Sequence, residues 1–524
     1  MSRTVLLAVV ACLVWATTAS AHPERPTQFP TTDAAVPKYR ASGSSQVVCK
    51  PDSGARLKKL FAGRGKQARR RLAVRKRVLK RCEFRHIQAA VDAAASGDRI
   101  LILPGIYREE PSRAFEHNKP SCGELLDPGD GHGAYVTYEY QLKCPNSRNL
   151  IFVGGDQDSD GKCDKKCNLQ IEGLGRKPTD VLIEGDRLKE DVIRADRADG
   201  IYVKNLHVDQ GSFNAIDVVE TNGFRLGDLE ATWSQNYGVL SFTSDNGLYE
   251  DIEAYGNGDS GIYPGSGPEK HCQGYGIEIR RVNSHGNVLG YSGTAGNGTF
   301  VHDSNFSNNS AGISDDSFAS GHPGMPQDCS KWEGNKVNSN NVNFFTADNQ
   351  RYCSETPFER RPRERVCPQF QVPVGSGFIL YGVNDNLIAD NEITDNWRSG
   401  IRLFYVPAAI RGENEPEKQF DTSNGNRFTH NMLGVRTDGS RAPNGVDVFW
   451  DEQGARNCWQ GNVAFGGKPI TSDPASLPAC PGSMVQLPVN ARKSAMEVPC
   501  ATWNPDTNQM PIGCTWFTTP EKPR

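Results

Sequence analysis

The sequence predicts an all-β solenoid in which short strands stack in successive coils. From residue 200 onward, a small residue followed by alternating apolar residues returns repeatedly. Most separations equal one unit of about 22 or 23 residues, sometimes lengthened by an insertion. The intervening segments end in Asn, Asp or Gly, which tolerate the left-handed conformation of tight turns. One coil buries only a thin apolar core, so we expect stacking to make the unit stable.

The recurrent strand starts at a small residue in nine places. It reads "GIYV" at Gly200, "AIDV" at Ala215, "GVLS" at Gly238, "GIYP" at Gly261, "GYSG" at Gly290, "GISD" at Gly312, "GFIL" at Gly377, "GIRL" at Gly400 and "GVDV" at Gly445.

The stretch "FRHIQAAVDAAASGDRILILPGIYREE", residues 84 to 110, predicts the entry into this solenoid. Ile87, Val91 and Ala94 form one face of a helix that ends at 96–98, and a strand begins at Ile100. Such a helix covers the open end of a solenoid, which otherwise exposes apolar side chains and unpaired strand edges.

Together, the repeats and this entry segment resemble the right-handed parallel β-helix of the pectin-lyase-like superfamily. The resemblance covers roughly residues 84 to 465, and the entry segment is similar to the opening of that superfamily's pectin esterases. It implies the fold but not one activity, because this fold carries lyases, hydrolases, esterases, epimerases, adhesins and proteins without catalysis.

The chain divides into four predicted parts. Residues 1–21 read as a secretory signal, 22–83 as a basic segment or linker, 84–465 as the β-helix and 466–524 as a disulfide-tied cap. We therefore expect a secreted protein, extracellular, periplasmic or on the cell surface. No other apolar run reaches the about 18 residues that cross a bilayer.

Fourteen cysteines remain once Cys12 leaves with the signal, an even count that predicts a disulfide framework in an oxidising compartment. The neighbours Cys353 and Cys367, or Cys500 and Cys514, would close short loops.

A basic segment precedes the solenoid. Residues 56 to 81 hold thirteen Lys or Arg and no acid, so the rest of the chain sums to −3 − 13 = −16. Its partner is an anionic wall polymer, an acidic membrane surface or the acidic remainder of the protein, and a solvated linker is the alternative. We expect no nucleic acid partner and a monomer.

Insertions follow the same strand in three coils, after 263, 315 and 405, and in a solenoid such insertions project from one face. Strand alternation then predicts which side chains face the resulting cleft. The outward column comprises Tyr202, Asp217, Leu240, Tyr263, Ser292, Ser314, Ile379, Arg402 and Asp447, and two residues further on lie Asp316, Tyr381, Phe404 and Phe449.

Aromatic rings, carboxylates and an arginine along one groove favour an acidic polysaccharide, since rings stack on sugars and arginine pairs with carboxylates. The predicted substrate-binding residues are Tyr263, Asp217, Tyr381, Phe404, Asp447 and His322.

The candidate catalytic residues are Asp315, Asp316 and Arg402. Adjacent carboxyls that share a proton act as acid and base in glycosidases. The pair is similar to the adjacent aspartates of polygalacturonases, although no Asn-x-Asp motif precedes it and the spacings to His322 and Arg402 differ. A hydrogen-bonded turn for the aspartates, in which Asp315 points inward, and a salt bridge for Arg402 are the alternatives.

A calcium loop is predicted at "DQDSDGKCDKKC", residues 156 to 167. Asp156, Asp158, Asp160 and Asp164 occupy the spacing of oxygen ligands around Ca²⁺, similar to the calcium loops of thrombospondin type 3 repeats, and the ion would be structural. An acidic turn tied by Cys163 and Cys167 is the alternative. For a lyase, Asp217, Asp259 and Asp447 would hold calcium instead.

The sequence therefore predicts a protein that binds an acidic polysaccharide along the inserted-loop face and cleaves it as a lyase or hydrolase. The competing interpretation is a non-catalytic extracellular binding, adhesion or envelope surface protein.

Overall fold

The computed structural model describes residues 25–62, 65–114, 120–127, 135–318, 322–406, 422–486, 490–497, 499–500, 503 and 509–524. These residues form a right-handed parallel β-helix, in which strands pair in parallel with the equivalent strand of the next coil. In its regular part Ile193 pairs with Ile216, and Ile216 pairs with Val239, one coil of 23 residues each time. The predicted fold and coil length are confirmed. The predicted signal peptide lies outside the described residues.

Sheet 1 has 20 strands in two rows that meet at a bend. Three long strands run through both rows and bend at Asn205, Asp228 and Asp251, each in the left-handed region with φ between 50° and 54°. They are β10 (Tyr202–Asp209), β12 (Asn222–Thr232) and β14 (Asp245–Tyr255). The first row also contains β1 (Ser45–Val48), β2 (Arg99–Ile102), β7 (Gln170–Gly173), β16 (Ile277–Arg280), β19 (Thr299–His302), β22 (Lys331–Glu333), β25 (Leu387–Ala389), β28 (Arg427–Thr429) and β31 (Cys458–Gln460). The second row also contains β3 (Gly105–Tyr107), β8 (Val181–Glu184), β17 (Asn283–His285), β20 (Asn305–Ser307), β23 (Lys336–Asn338), β26 (Glu392–Thr394), β29 (Met432–Leu433) and β32 (Val463–Ala464).

Sheet 2 has 11 strands and closes each coil opposite the bend. Its strands are β6 (Asn149–Gly154), β9 (Asp191–Asp196), β11 (Asn214–Val219), β13 (Tyr237–Phe242), β15 (Ser260–Gly265), β18 (Leu289–Ser292), β21 (Ala311–Asp316), β24 (Ser376–Tyr381), β27 (Ser399–Phe404), β30 (Val448–Trp450) and β33 (Ser472–Asp473). A separate antiparallel pair joins β4 (Leu126–Asp127) to β5 (Tyr135–Val136).

Eight α-helices lie outside the coils among the described residues. They are α1 (Ser53–Leu60), α2 (Lys66–Leu79), α3 (Ile87–Ala93), α4 (Pro120–Gly123), α5 (Tyr138–Lys143), α6 (Pro145–Arg148), α7 (Ala347–Cys353) and α8 (Ala491–Glu497). Short 3₁₀ segments occupy Glu110–Arg113, Pro178–Asp180 and Phe465–Gly467. No helix in these described parts of the chain is long and apolar enough to cross a membrane.

Helix α3 forms the predicted cap at the start of the solenoid. Its residues Ile87 and Val91 are fully buried against the main core. The first amides of the helix are bound by the buried carboxylate of Glu109, which accepts from the backbone N of Ile87 at 2.8 Å and of Gln88 at 2.9 Å. A carboxylate there satisfies donors that a helix start leaves without partners.

Strand β1 lies inside the stretch 22–83, which the sequence assigns to a basic segment. It pairs in register with β2, Ser45 opposite Arg99, and so adds a strand to sheet 1.

The turns that lead into sheet 2 are held by a stack of asparagines. The backbone N of Asn257 donates to the side-chain oxygen of Asn287 at 2.9 Å, and that of Asn287 donates to Asn309 at 2.9 Å. The stack continues through Asn340, Asn396 and Asn444. Each side-chain oxygen accepts from a buried backbone N–H of the adjacent coil. The recurrent Asn of the sequence therefore fixes the register in which neighbouring coils stack.

Seven disulfides use all fourteen cysteines beyond Cys12. The predicted short loops Cys353–Cys367 and Cys500–Cys514 are confirmed, as is Cys163–Cys167. This density of bridges indicates an oxidising compartment, extracellular or periplasmic.

Candidate active site

The outward face of sheet 2 carries the predicted column of side chains. Arg194, Asp217, Leu240 and Tyr263 align in consecutive coils, and Ser314, Ile379 and Arg402 continue the column. All of these side chains are buried. The inserted segments and the chain ends therefore cover this face, rather than leaving the open groove that the sequence suggests.

Two members of the predicted column lie elsewhere. Tyr202 belongs to sheet 1, where it pairs with Arg225. Asp447 lies one residue before the start of β30, so Phe449 rather than Asp447 pairs with Arg402. The carboxylate of Asp447 accepts from the backbone N and the hydroxyl of Thr471, both at 2.9 Å, and so anchors the next turn. Tyr202 and Asp447 were assigned wrongly because the coils were aligned only on a small residue followed by Ile or Val.

The second predicted column is confirmed for three residues. Asp316 pairs with Tyr381, and Tyr381 pairs with Phe404. Phe449 belongs to the first column instead and packs on Phe404, with ring centroids 5.3 Å apart.

Asp316 is buried, and three donors hold its carboxylate. The hydroxyls of Thr294 and Ser314 donate to it at 2.8 and 2.9 Å, and the backbone N of Phe318 donates at 3.0 Å. Burial raises the pKa of Asp316, while these hydrogen bonds oppose that shift. Asp316 is thus a carboxyl group of fixed orientation on the outward face.

Asp315 points to the other side of the strand. It pairs with the core residue Leu380 and is fully buried inside the solenoid. Burial and the neighbouring charge of Asp316 raise the pKa of Asp315 well above its usual range. The two aspartates therefore do not share one proton on one face, and the inward orientation expected from alternation is correct.

A tyrosine pair and a second carboxyl group lie on the same outward face as Asp316. The rings of Tyr237 and Tyr263 are 4.7 Å apart between centroids. Asp259 is buried beside Tyr237, and burial together with the charge of Asp316 raises its pKa to about 8, against a hydrogen bond from Tyr237 that lowers it. Near neutral pH, Asp259 keeps its proton, whereas the hydrogen bonds to Asp316 favour its ionised form.

Arg402 is buried beneath the C-terminal segment. Its guanidinium bonds to the carboxylate of Glu497 in α8 and stacks over Phe449 at 4.7 Å. The indole N–H of Trp516 donates to the same carboxylate at 2.9 Å, and the ring of Trp516 stacks on Tyr381. The predicted salt bridge of Arg402 is present, with a partner that the sequence did not indicate.

The C-terminal segment and two phenylalanines close over Asp316. A pocket between Asp316, Phe318, Phe370, Tyr381 and Trp516 keeps a volume of about 10 Å³, room for one water molecule. A polymer can reach Asp316 only if these covering residues move.

Charged residues also occupy the N-terminal end of this face. Asp217 bonds to Arg194 at 2.8 Å, and Arg194 bonds to Asp196 at 3.0 Å. Arg25 reaches Asp196 at 2.9 Å and also contacts Glu220. Such buried ion networks specify geometry more than they stabilise a fold.

His322 lies in the inserted loop after β21 and packs edge-on against Phe242, with ring centroids 5.2 Å apart. It therefore lines the wall beside the tyrosine pair.

The acidic loop brings three of its four predicted ligands together. Asp156, Asp158 and Asp160 offer carboxylate oxygens that all lie within 4.8 Å of one another. Asp164 instead accepts from the backbone N of Gln157 at 2.8 Å. Asp156 is also bonded to Arg197 at 2.8 Å, so the guanidinium competes with a cation for this oxygen. The alternative calcium set of Asp217, Asp259 and Asp447 is not assembled, because the three belong to different coils with separate partners.

Tyr237, Thr294 and Glu497 were missed by sequence reasoning. Thr294 lies two residues after Ser292 and so follows from the same alternation. Tyr237 precedes the small residue that marks its coil, and Glu497 lies outside the repeats, so no periodicity points to either.

No protein-family profile and no curated protein sequence matches the chain. Among solved structures, the chain is similar to the A-module of the mannuronan C-5 epimerase AlgE4 from Azotobacter vinelandii, at 13% identity and a TM-score of 0.37, covering 72% of this chain and 90% of that one. It is also similar to pectate lyase Pel9A, at 12% identity and a TM-score of 0.32, covering 76% of each chain. It is similar to DFA-IIIase from Arthrobacter chlorophenolicus A6 as well, at 11% identity and a TM-score of 0.35, covering 70% of this chain and 78% of that one. These scores carry no argument about activity. The strand pairing alone defines the protein as a parallel β-helix.

Proposed function

We propose that this protein is secreted and that it binds an acidic polysaccharide across the coils of sheet 2 and cleaves it there as a lyase or hydrolase. One observation carries the proposal: two buried carboxyl groups, Asp259 and Asp316, lie on the outward face, and burial raises the pKa of both, while three hydrogen bonds oppose the rise at Asp316. Buried ionisable groups cost several kcal/mol unless paired, and neither Asp259 nor Asp316 forms an ion pair with a residue that the structure describes.

The two carboxyl groups take different parts. Asp259, protonated near neutral pH, donates a proton to the leaving oxygen, and Asp316, oriented by three donors, accepts one from water or from the sugar ring. Tyr263, which is buried beside Tyr237, offers an aromatic face for a sugar once the covering residues move. Arg402 pairs with a uronate carboxylate once Glu497 has left it.

The residues that cover this face favour a second candidate function, a protein without catalysis. Arg402 is already paired and Asp316 is closed off, as expected for a non-catalytic binding or surface protein in which these groups fix the fold.

One assay separates the candidates. The purified protein is incubated with polygalacturonate, polymannuronate and polyguluronate, with and without calcium. New ultraviolet absorbance of an unsaturated uronide identifies a lyase, and new reducing ends without it identify a hydrolase. Binding without either product supports the second candidate, and neither binding nor product overturns both.

A further inference from the structure

Helix α2 presents a dense cationic surface beside the first coils. It carries Lys66, Arg69, Arg70, Arg71, Arg75, Lys76 and Arg77, it has no acidic residue, and none of its residues is fully buried. Its apolar residues Leu72, Val78 and Leu79 pack against Leu57 and Phe61 of the preceding helical segment. The helix is therefore docked by one face, and six of its seven cations are exposed, whereas Arg75 is half-buried.

A groove separates α2 from the turn that follows β7. It encloses about 590 Å³, and it is lined by Arg70, Arg71, Arg75 and Arg176 together with Phe61 and Val74. The volume is within the usual range for ligand sites. Val74 is 45% exposed, so the groove combines a small apolar surface with four cationic residues.

The charges of α2 are not compensated within the described part of the chain. None of its seven cations forms an ion pair with a residue that the structure describes. Glu172, the carboxylate that faces Arg75, is bonded to Arg99 at 3.1 Å. Asp180, beside the groove, accepts from the backbone amides of Arg176 and Lys177. Like charges one turn apart, such as Arg71 and Arg75, destabilise a helix, so a bound anion would relieve a repulsion that the fold leaves in place.

We propose that this groove binds a carboxylated or sulfated polysaccharide, at a site separate from the outer face of sheet 2. Guanidinium groups pair bidentately with both kinds of anion. A membrane surface fits less well, because interfacial helices present Trp, Phe or Leu, whereas α2 exposes only Val74 among large apolar residues. This site does not depend on the proposed function of sheet 2.

The test measures binding of the full protein to immobilised heparin and to polygalacturonate over a series of NaCl concentrations. The variant carries Arg70→Gln, Arg71→Gln and Arg75→Gln. The matched control carries Lys143→Gln, Arg351→Gln and Lys522→Gln, three cations that are 60%, 82% and 66% exposed and do not line the groove. We expect the groove variant to lose about tenfold or more in affinity at 0.15 M NaCl, with a shallower salt dependence, and the control to change by less than about twofold.

Equal thermal melting of the three proteins shows that the loss is not unfolding. The more affected polymer identifies carboxylate or sulfate as the preferred anion. Wild-type binding to neither polymer, or binding that the groove variant retains, overturns the proposal. Stronger binding to phosphatidylserine vesicles or to duplex DNA at the same salt also overturns it. Product formation from polygalacturonate reports on sheet 2, and the loss of heparin binding in the groove variant reports on this site, so failure at one site is distinguishable from failure at the other.

Discussion

The carboxylate of Glu497 lies against the guanidinium of Arg402, 95 residues earlier in the chain, and accepts from the indole N–H of Trp516. In this position Glu497 presents to Arg402 the same group that a uronate sugar would present. The C-terminal segment thus occupies the place that the proposed substrate requires.

Removing that carboxylate is expected to expose the binding site. Glu497→Gln should raise the affinity for polygalacturonate, because Arg402 loses its resident anion, and should lower the free energy of unfolding by about 3 kcal/mol or less, because an ion pair is lost. Binding titration and denaturant unfolding measure the two effects. Asp348→Asn, which removes an exposed carboxylate, is the control. Unchanged or weaker binding by Glu497→Gln would contradict the role given to this segment.

The opposite orientations of the two adjacent aspartates predict opposite results of the same substitution. Asp316→Asn should abolish product formation and leave melting nearly unchanged, because the amide oxygen still accepts from Thr294 and the amide NH₂ donates to the rotatable hydroxyl of Ser314. Asp315→Asn should retain turnover within about twofold and melt higher at alkaline pH, because no buried charge then forms in the core. Turnover lost in Asp315→Asn but kept in Asp316→Asn would reverse the assignment.

Asp259 predicts a pH dependence of stability. Its pKa is raised to about 8 in the folded protein, so between the unfolded value near 4 and pH 8 the folded state holds a proton that the unfolded state releases. Stability therefore falls as pH rises through this window. We expect Asp259→Asn to gain melting temperature relative to wild type at pH 8 but not at pH 4. An equal difference at both pH values would show that Asp259 ionises normally.

The acidic loop predicts a response to calcium. Millimolar Ca²⁺ should raise the melting temperature by a few degrees relative to chelator, because three carboxylates converge there. The double variant Asp158→Asn, Asp160→Asn should lose this shift, while Asp303→Asn, an exposed aspartate elsewhere, should keep it. A shift that survives in the double variant places the ion at another site.

The coil repeat could be predicted because a strand whose inward residues are apolar leaves the same period in every coil. The column from Asp217 through Tyr263 to Arg402 followed directly from that period. The errors arose where the pattern is ambiguous: "GIYV" at Gly200 alternates like its neighbours, yet Tyr202 belongs to the other sheet.

The cover of the site could not be predicted. Glu497, Trp516 and Phe370 come from segments without periodicity, and their positions depend on contacts between residues far apart in the chain. Burial of the predicted face, and with it the raised pKa of Asp259, follows from those segments rather than from any local motif.

Hydrogen–deuterium exchange with and without a short oligogalacturonate tests most directly whether the outer face of sheet 2 receives the polysaccharide. The account predicts faster exchange in residues 490–497 and 509–518, as the C-terminal segment leaves Arg402, and slower exchange in 322–328 and 365–373, which flank the bound sugar. Saturating binding with no change in these segments, or with changes confined to sheet 1, would contradict it.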